Sequence, residues 1–199
     1  MPATDADSRL TGLSQRPKRA DAARNYDKLV AAAREAFAQD GEGARLDDIA
    51  KRAGVGPGTL YRNFPTRQHL LEAVYVDEVE AIARAADALA DHEPWDALRR
   101  WTRQFVDYVT TKRAIGSALL TYIDRDSEVF RSCRGAVFGA GDALLERARA
   151  AGEVRDDVAF ADLAPLLGGI AAMQGADPAT IDRSLDLVLD GLRYRPPAG

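Results

Sequence analysis

The side chains able to make and break bonds are few and scattered. Two histidines, His69 and His92, lie in polar helical settings, and neither accompanies a serine or cysteine motif. No nucleophile, base and orienting group can be assembled from them. One cysteine and two histidines fall short of a four-ligand metal site, and a lone cysteine forms no internal disulfide. Cys133 lies on an apolar helical stripe and reads as a buried, inert thiol rather than a redox sensor. Asp47 and Asp48 read as the acidic pair that favours a helix N-terminus rather than as an acid–base dyad. These residues predict no enzyme, no metal and no cofactor. What remains is recognition chemistry. Thr59, Tyr61, Arg62 and Asn63, followed by Arg67, supply hydrogen-bond donors and acceptors with no acid among them. That is a set which phosphate oxygens and base edges can bond.

Charge is arranged in the same sense. A net charge of −4 over 199 residues argues against a protein that coats nucleic acid along its whole surface. Yet residues 1–67 carry 12 basic and 9 acidic side chains, whereas residues 68–199 carry 15 and 22. A basic front on an acidic body fits a nucleic-acid-binding head on a body that binds something else, although an excess of three charges also falls within chance. With 46% hydrophobic and 29% charged residues, the composition is that of a globular chain long enough to bury its own core. No apolar run approaches the roughly 20 residues of a membrane span. The polar stretch from Met1 to Arg19 has no signal-peptide core, so the expectation is a cytoplasmic protein without a membrane partner.

The elements that must position the polar cluster read as helices throughout. From Asp21, apolar residues recur at Tyr26, Leu29, Val30, Ala33 and Phe37, and Gly41 and Gly43 end that helix. Leu46, Ile49, Ala50 and Ala53 mark a short second helix that stops at Gly54. Pro57 opens a third with Leu60 and Phe64 inward, Pro65 ends it, and Thr66 caps a long fourth whose stripe runs from Leu71 to Leu89. Beyond it the spacing predicts one helix from Pro94 through Val109 and another from about Thr111 to Ile123. A third runs from Ser127 to Gly152, and a fourth carries Leu163 to Met173. Pro165 implies a late start or a kink in that fourth one. The last runs from the Asp177-Pro178 cap to about Tyr194. With no strand alternation and no internal repeat, the fold class is all-α, of about nine helices.

The segment Leu46–Phe64 sets two short amphipathic helices about the tight turn Gly54-Val55-Gly56, as a helix-turn-helix requires. Gly54 supplies a left-handed turn residue at low cost. Ala50 is small enough for a close crossing, with Val55 and Leu60 filling the space between. A plain helical hairpin would show the same pattern; the outward set Thr59, Tyr61, Arg62 and Asn63 is what distinguishes it. The string LDDIAKRAGVGPGTLYRNFPTRQHLLEAV closely resembles the DNA-binding region of TetR-family transcriptional regulators. The LLGGI stretch near Leu166 and the DLVLDGLR ending are similar to an actinobacterial-type, SbtR-like regulatory domain.

The resemblance implies a homodimer whose two third helices enter successive major grooves of an inverted-repeat operator. It implies that Thr59, Tyr61 and Asn63 contact phosphate or nearby base edges, that Pro57, Gly58 and Arg62 face the groove, and that Arg67 clamps a phosphate. The sequence departs from the family pattern in places. Arg45 stands where a hydroxyl commonly caps the second helix and can instead reach a phosphate. Gly56 replaces a common serine, and Asn63 a common histidine. With no long side chain at Pro57 or Gly58, guanine recognition falls to Arg62.

The expected organisation is a disordered basic arm over residues 1–20 and a helix-turn-helix domain over 21–67 that continues into a linking helix to about 82. A regulatory and dimerisation domain follows over 68–199. In that last part Trp95, Trp101, Phe105, Tyr122, Phe130 and Phe138 read either as ordinary core or as the wall of a ligand pocket. Gly168 and Gly169 permit close helix approach, and Ile181, Leu185 and Leu189 lie on an apolar arc too wide for one buried face. They predict a four-helix dimer interface. The resulting expectation is a repressor relieved by an unidentified small molecule. The alternatives are a ligand that strengthens DNA binding, or a helical protein-interaction module that binds no DNA.

Overall fold

The computed structural model describes residues 16–122, 127–173 and 175–193; of residues 113–122 it describes the backbone. The described residues form eight α-helices and one 3₁₀ turn, joined by one isolated antiparallel bridge between Val154 and Arg193. The helices are α1 (Ala20–Asp40), α2 (Leu46–Arg52), α3 (Pro57–Asn63), α4 (Arg67–Asp87), α5 (Pro94–Tyr122), α6 (Glu128–Ala150), α7 (Phe160–Ile170) and α8 (Pro178–Asp190), with the 3₁₀ turn at Gly41–Gly43. Residues 1–15 of the expected basic arm lie outside the described residues.

The chain divides by packing into two compact units, each discontinuous in sequence: Met1–Glu80 with Thr111–Arg134, and Ala81–Thr110 with Gly135–Gly199. The charge and motif boundary after Arg67 falls inside the first of these.

In the first unit Leu29, Ala33 and Phe37 of α1, Ile49 of α2, Leu60 of α3, and Leu70, Leu71 and Val74 of α4 are fully buried. The Tyr26 and Phe64 rings meet at 5.0 Å. Each large apolar side chain removed from water contributes roughly 1.5–3 kcal/mol, enough in sum to hold two seven-residue helices that would not form alone. Gly54 at φ 67° is the expected glycine turn after α2, and Gly41, at φ 53° and ψ −122°, ends α1 with a positive φ that a glycine adopts at low cost.

The second unit is built around Phe160. The rings of Trp101, Phe105 and Phe138 stand 5.2, 5.2 and 5.4 Å from it, all edge-on. Trp101 Nε1 donates to Ile82 O at 2.9 Å, so the buried indole is satisfied.

Three boundaries differ from expectation. Residues 94–122 form one helix of 29 residues rather than two. Thr110, at the expected break, is accommodated: its Oγ1 donates to Val106 O at 2.9 Å within the same helix. Pro165 lies inside α7, which begins at Phe160 and ends before Met173. Burial of Phe160, Leu163, Leu167 and Ile170 outweighs the roughly 3 kcal/mol that an interior proline costs. The last helix stops at Asp190 rather than near Tyr194. Its start is as expected, with Asp177 accepting from the Thr180 N–H at 2.8 Å and Pro178 following.

Candidate nucleic-acid interface

α3 is seven residues long, and its inner face is spent on Leu60. The 3.6-residue period then turns Pro57, Gly58, Tyr61 and Arg62 outward, all exposed, with Thr59 and Asn63 half-buried at the edges. Tyr61 is 46% exposed, unusual for so large a ring. No acid lies in α3, so nothing on it repels a polyanion.

The side chains around Tyr61 bond locally. Arg62 lies back along the helix, with Nε donating to Gly58 O at 3.1 Å and an Nη to Thr59 Oγ1 at 3.2 Å. Asn63 Nδ2 donates to Thr59 O at 2.7 Å. The Arg62 bonds are exposed and neutral-acceptor bonds, weak enough to be traded for a base edge or phosphate. Arg45 is exposed and precedes α2 without a side-chain cap bond. His69 belongs to the surface: its Nδ1 pairs with Thr66 Oγ1 at 2.7 Å beside the start of α4.

Arg67 departs from the expectation. Its guanidinium turns inward: one Nη donates to Ala44 O, the other to Gly41 O at 2.9 Å, and its Cζ lies 4.9 Å from the centre of the buried Phe37 ring. As placed, it grips the main chain between α1 and α2. Sequence spacing could not reveal this, because the acceptors are carbonyls 23 and 26 residues earlier.

A second arginine ties α1 to α4. Arg34 pairs with Asp77 and Glu78. Burial pushes the Glu78 carboxyl above the usual range, opposed by Arg34 and assisted by Asp77. At the start of α1, Arg16 meets Asp27 in a two-pronged bond of 2.7 and 2.6 Å, which holds the Asp27 carboxyl below its usual range.

The five described aromatics of the proposed pocket wall have different neighbours. Trp101 and Phe105 are buried and, with Phe138, pack on Phe160 as core. Trp95 is half-buried under the Arg193 guanidinium, 4.5 Å from its ring centre. Phe130 stacks at 5.8 Å on Tyr75, with Lys112 Nζ near both rings. The Tyr122 side chain lies outside the described residues. Cys133 is fully buried, and burial pushes its thiol up to about 12. It therefore stays protonated and unreactive at neutral pH.

Of the residues expected to pair two chains, Leu185 and Leu189 are 1% exposed and belong to the chain's own interior. Ile181 is half-buried. A Cβ at Gly168 or Gly169 would meet nothing within 4 Å. The outward apolar side chains there are Leu166, 54% exposed, and Leu187, 74% exposed.

Residues 29–74 match the model of the bacterial regulatory proteins of the tetR family, and residues 93–194 match the C-terminal domain of SbtR-like transcriptional regulators. The HTH-type transcriptional repressor KstR of Mycolicibacterium smegmatis is 32% identical over 73% of this chain and 73% of its own length. An HTH-type transcriptional regulator of Staphylococcus aureus is 30% identical over 57% of this chain, and the match spans 61% of that regulator's length. Among solved structures, a TetR transcriptional regulator of Streptomyces coelicolor superposes with a TM-score of 0.75 at 44% identity, covering 87% of this chain and 99% of that one. A TetR regulatory protein of Mycobacterium vanbaalenii gives 0.74 at 35% identity, covering 89% and 100%.

Proposed function

The chain belongs to the TetR family of DNA-binding transcriptional regulators, and from that membership we propose that it acts as a homodimeric repressor released from an inverted-repeat operator by a small-molecule effector. The observation that carries the reading is the outward face of α3: Tyr61 and Arg62 exposed, bare Gly58 beside them, and no acid on the helix. Arg62 supplies guanine recognition once it leaves Gly58 O and Thr59 Oγ1. Thr59, Tyr61, Asn63 and Arg45 hold phosphates and flanking edges. Two such helices related by a two-fold axis require half-sites roughly 34–36 Å apart, or a multiple of that if dimers pair.

The repressor assignment is supported by likeness to a named repressor of which this chain covers 73%. Release by an effector is supported by α4, which starts beside the helix-turn-helix and has 21 residues, about 31 Å of helix. An effector that prefers a tilted α4 separates the recognition helices, and both half-sites can no longer be met together.

Selection of duplexes from a random pool by the full chain tests the reading. The expected product is an inverted repeat whose affinity falls steeply with salt. Replacing Arg62 with Ala should relax preference at one base pair, costing about 1–3 kcal/mol there. Recovery of no sequence, or binding by Arg62→Ala and Tyr61→Ala variants indistinguishable from wild type, would remove the assigned face.

A further inference from the structure

We propose that Arg67 is a positioning residue that pins the two ends of the helix-turn-helix together, and that its contribution to DNA binding passes through the backbone rather than through a phosphate. The inference rests on the reading of α3 as the recognition helix. Ala44 lies two residues before α2, and Arg67 comes four residues after α3. One guanidinium bonded to Ala44 O therefore closes the whole helix-turn-helix into a ring. Its other prong holds Gly41 O at 2.9 Å, in the 3₁₀ turn that follows α1. Gly41 O also accepts the Ala44 N–H at 3.4 Å, a long bond that leaves its second lone pair for the guanidinium. The Phe37 ring, fully buried, supports the guanidinium from below at 4.9 Å.

Two features of the site call for arginine and not merely for a positive charge. Two carbonyls 3 residues apart in sequence are held by separate nitrogens of one planar fork, and the fork stacks on a ring. A lysine ammonium offers a point charge with no plane and no fork. The Arg34 ties to Asp77 and Glu78 fasten α1 to α4 at a second level. With both in place, α1 and α4 cannot roll against each other without stripping one arginine of its acceptors. The direction of α3 is thereby set by α4, and a movement of α4 is delivered to the recognition face.

The test compares Arg67→Lys and Arg67→Gln in the full chain, at a temperature where circular dichroism shows both folded. Binding is measured to the duplex that the wild type selects, across a salt series, together with amide hydrogen exchange over residues 41–52. Both variants are expected to lose affinity on the order of tenfold. The slope of log affinity against log salt should be unchanged, and exchange over the turn and α2 should quicken. A phosphate clamp would instead leave Arg67→Lys near wild type and lower the slope of Arg67→Gln by about 0.9; that result overturns the proposal. Unchanged affinity in the folded variants also overturns it, because a residue serving stability alone moves the melting point and not the binding. If the wild type selects no duplex, the reading of α3 fails separately, and exchange decides on the pin: faster in the variants supports it, unchanged refutes it.

Discussion

Gly58 occupies the second position of α3, where its backbone is ordinary helix and a Cβ would meet nothing within 4 Å of the same chain. Alanine there should raise helix stability, by up to about 1 kcal/mol. A glycine that the fold does not require, on the face proposed to meet DNA, fits a face that approaches the groove closely. Gly58→Ala is therefore expected to melt at a higher temperature than wild type and to bind the selected duplex roughly tenfold more weakly, the size of one lost base-pair contact. A variant that gains stability at undiminished affinity would take Gly58 out of the interface. At this scale the sequence was informative wherever the partner of a side chain is solvent or a near neighbour. The outward set on α3 follows from period alone. The inward turn of Arg67 does not, because a guanidinium's choice between a carbonyl and a phosphate depends on which backbone the fold brings beneath it.

Two of the three glycines of α6 have opposite surroundings. Gly139 is exposed, and a Cβ there would meet nothing within 4 Å, whereas a Cβ at Gly141 would run into the ring of the fully buried Phe160. Phe160 is the ring on which Trp101, Phe105 and Phe138 converge, so it has no free direction in which to yield. Its own N–H is fixed by Asp142 Oδ1 at 2.9 Å. Gly141→Ala should cost about 1–3 kcal/mol through overpacking, despite the better helix propensity of alanine, while Gly139→Ala should be neutral or slightly stabilising. Urea unfolding of both variants checks this, and equal midpoints would mean that α6 and Phe160 do not approach as described. The same distinction explains what periodicity reads in an element and what it misses. It found α1 to α4 and the Asp177-Pro178 start of α8, where caps and stops are local. It divided α5 at Thr110 and Thr111, because a hydroxyl that bonds its own helix looks in sequence like one that ends it.

At the scale of the whole molecule, the proposed recognition of an operator by two α3 helices needs a second chain, and among the described residues α7 and α8 each leave a leucine facing water. The sequence reading drew an interface through Gly168, Gly169, Ile181, Leu185 and Leu189, on the two helices that are now α7 and α8. The 3.6-residue period fixes which residues share a side, but not which side the chain keeps for itself. Leu185 and Leu189 went to the interior at 1% exposure, leaving Leu187 at 74% and Leu166 at 54%. Two leucines on one helix should then give different failures. Leu189→Glu buries an unpaired carboxylate, and the expected result is loss of cooperative unfolding with aggregation or poor yield. Leu187→Glu places a charge where another copy would pack and leaves the interior untouched, so the folded helix content and melting of the single chain should persist while light scattering reports the monomer mass. That monomer should still contact one half-site, with a salt slope about half that of the dimer, because half the phosphates are met, and should no longer distinguish an inverted repeat from an isolated half-site. If Leu187→Glu scatters as a dimer and retains the preference for paired half-sites, the chains associate through a surface other than the exposed side of α8.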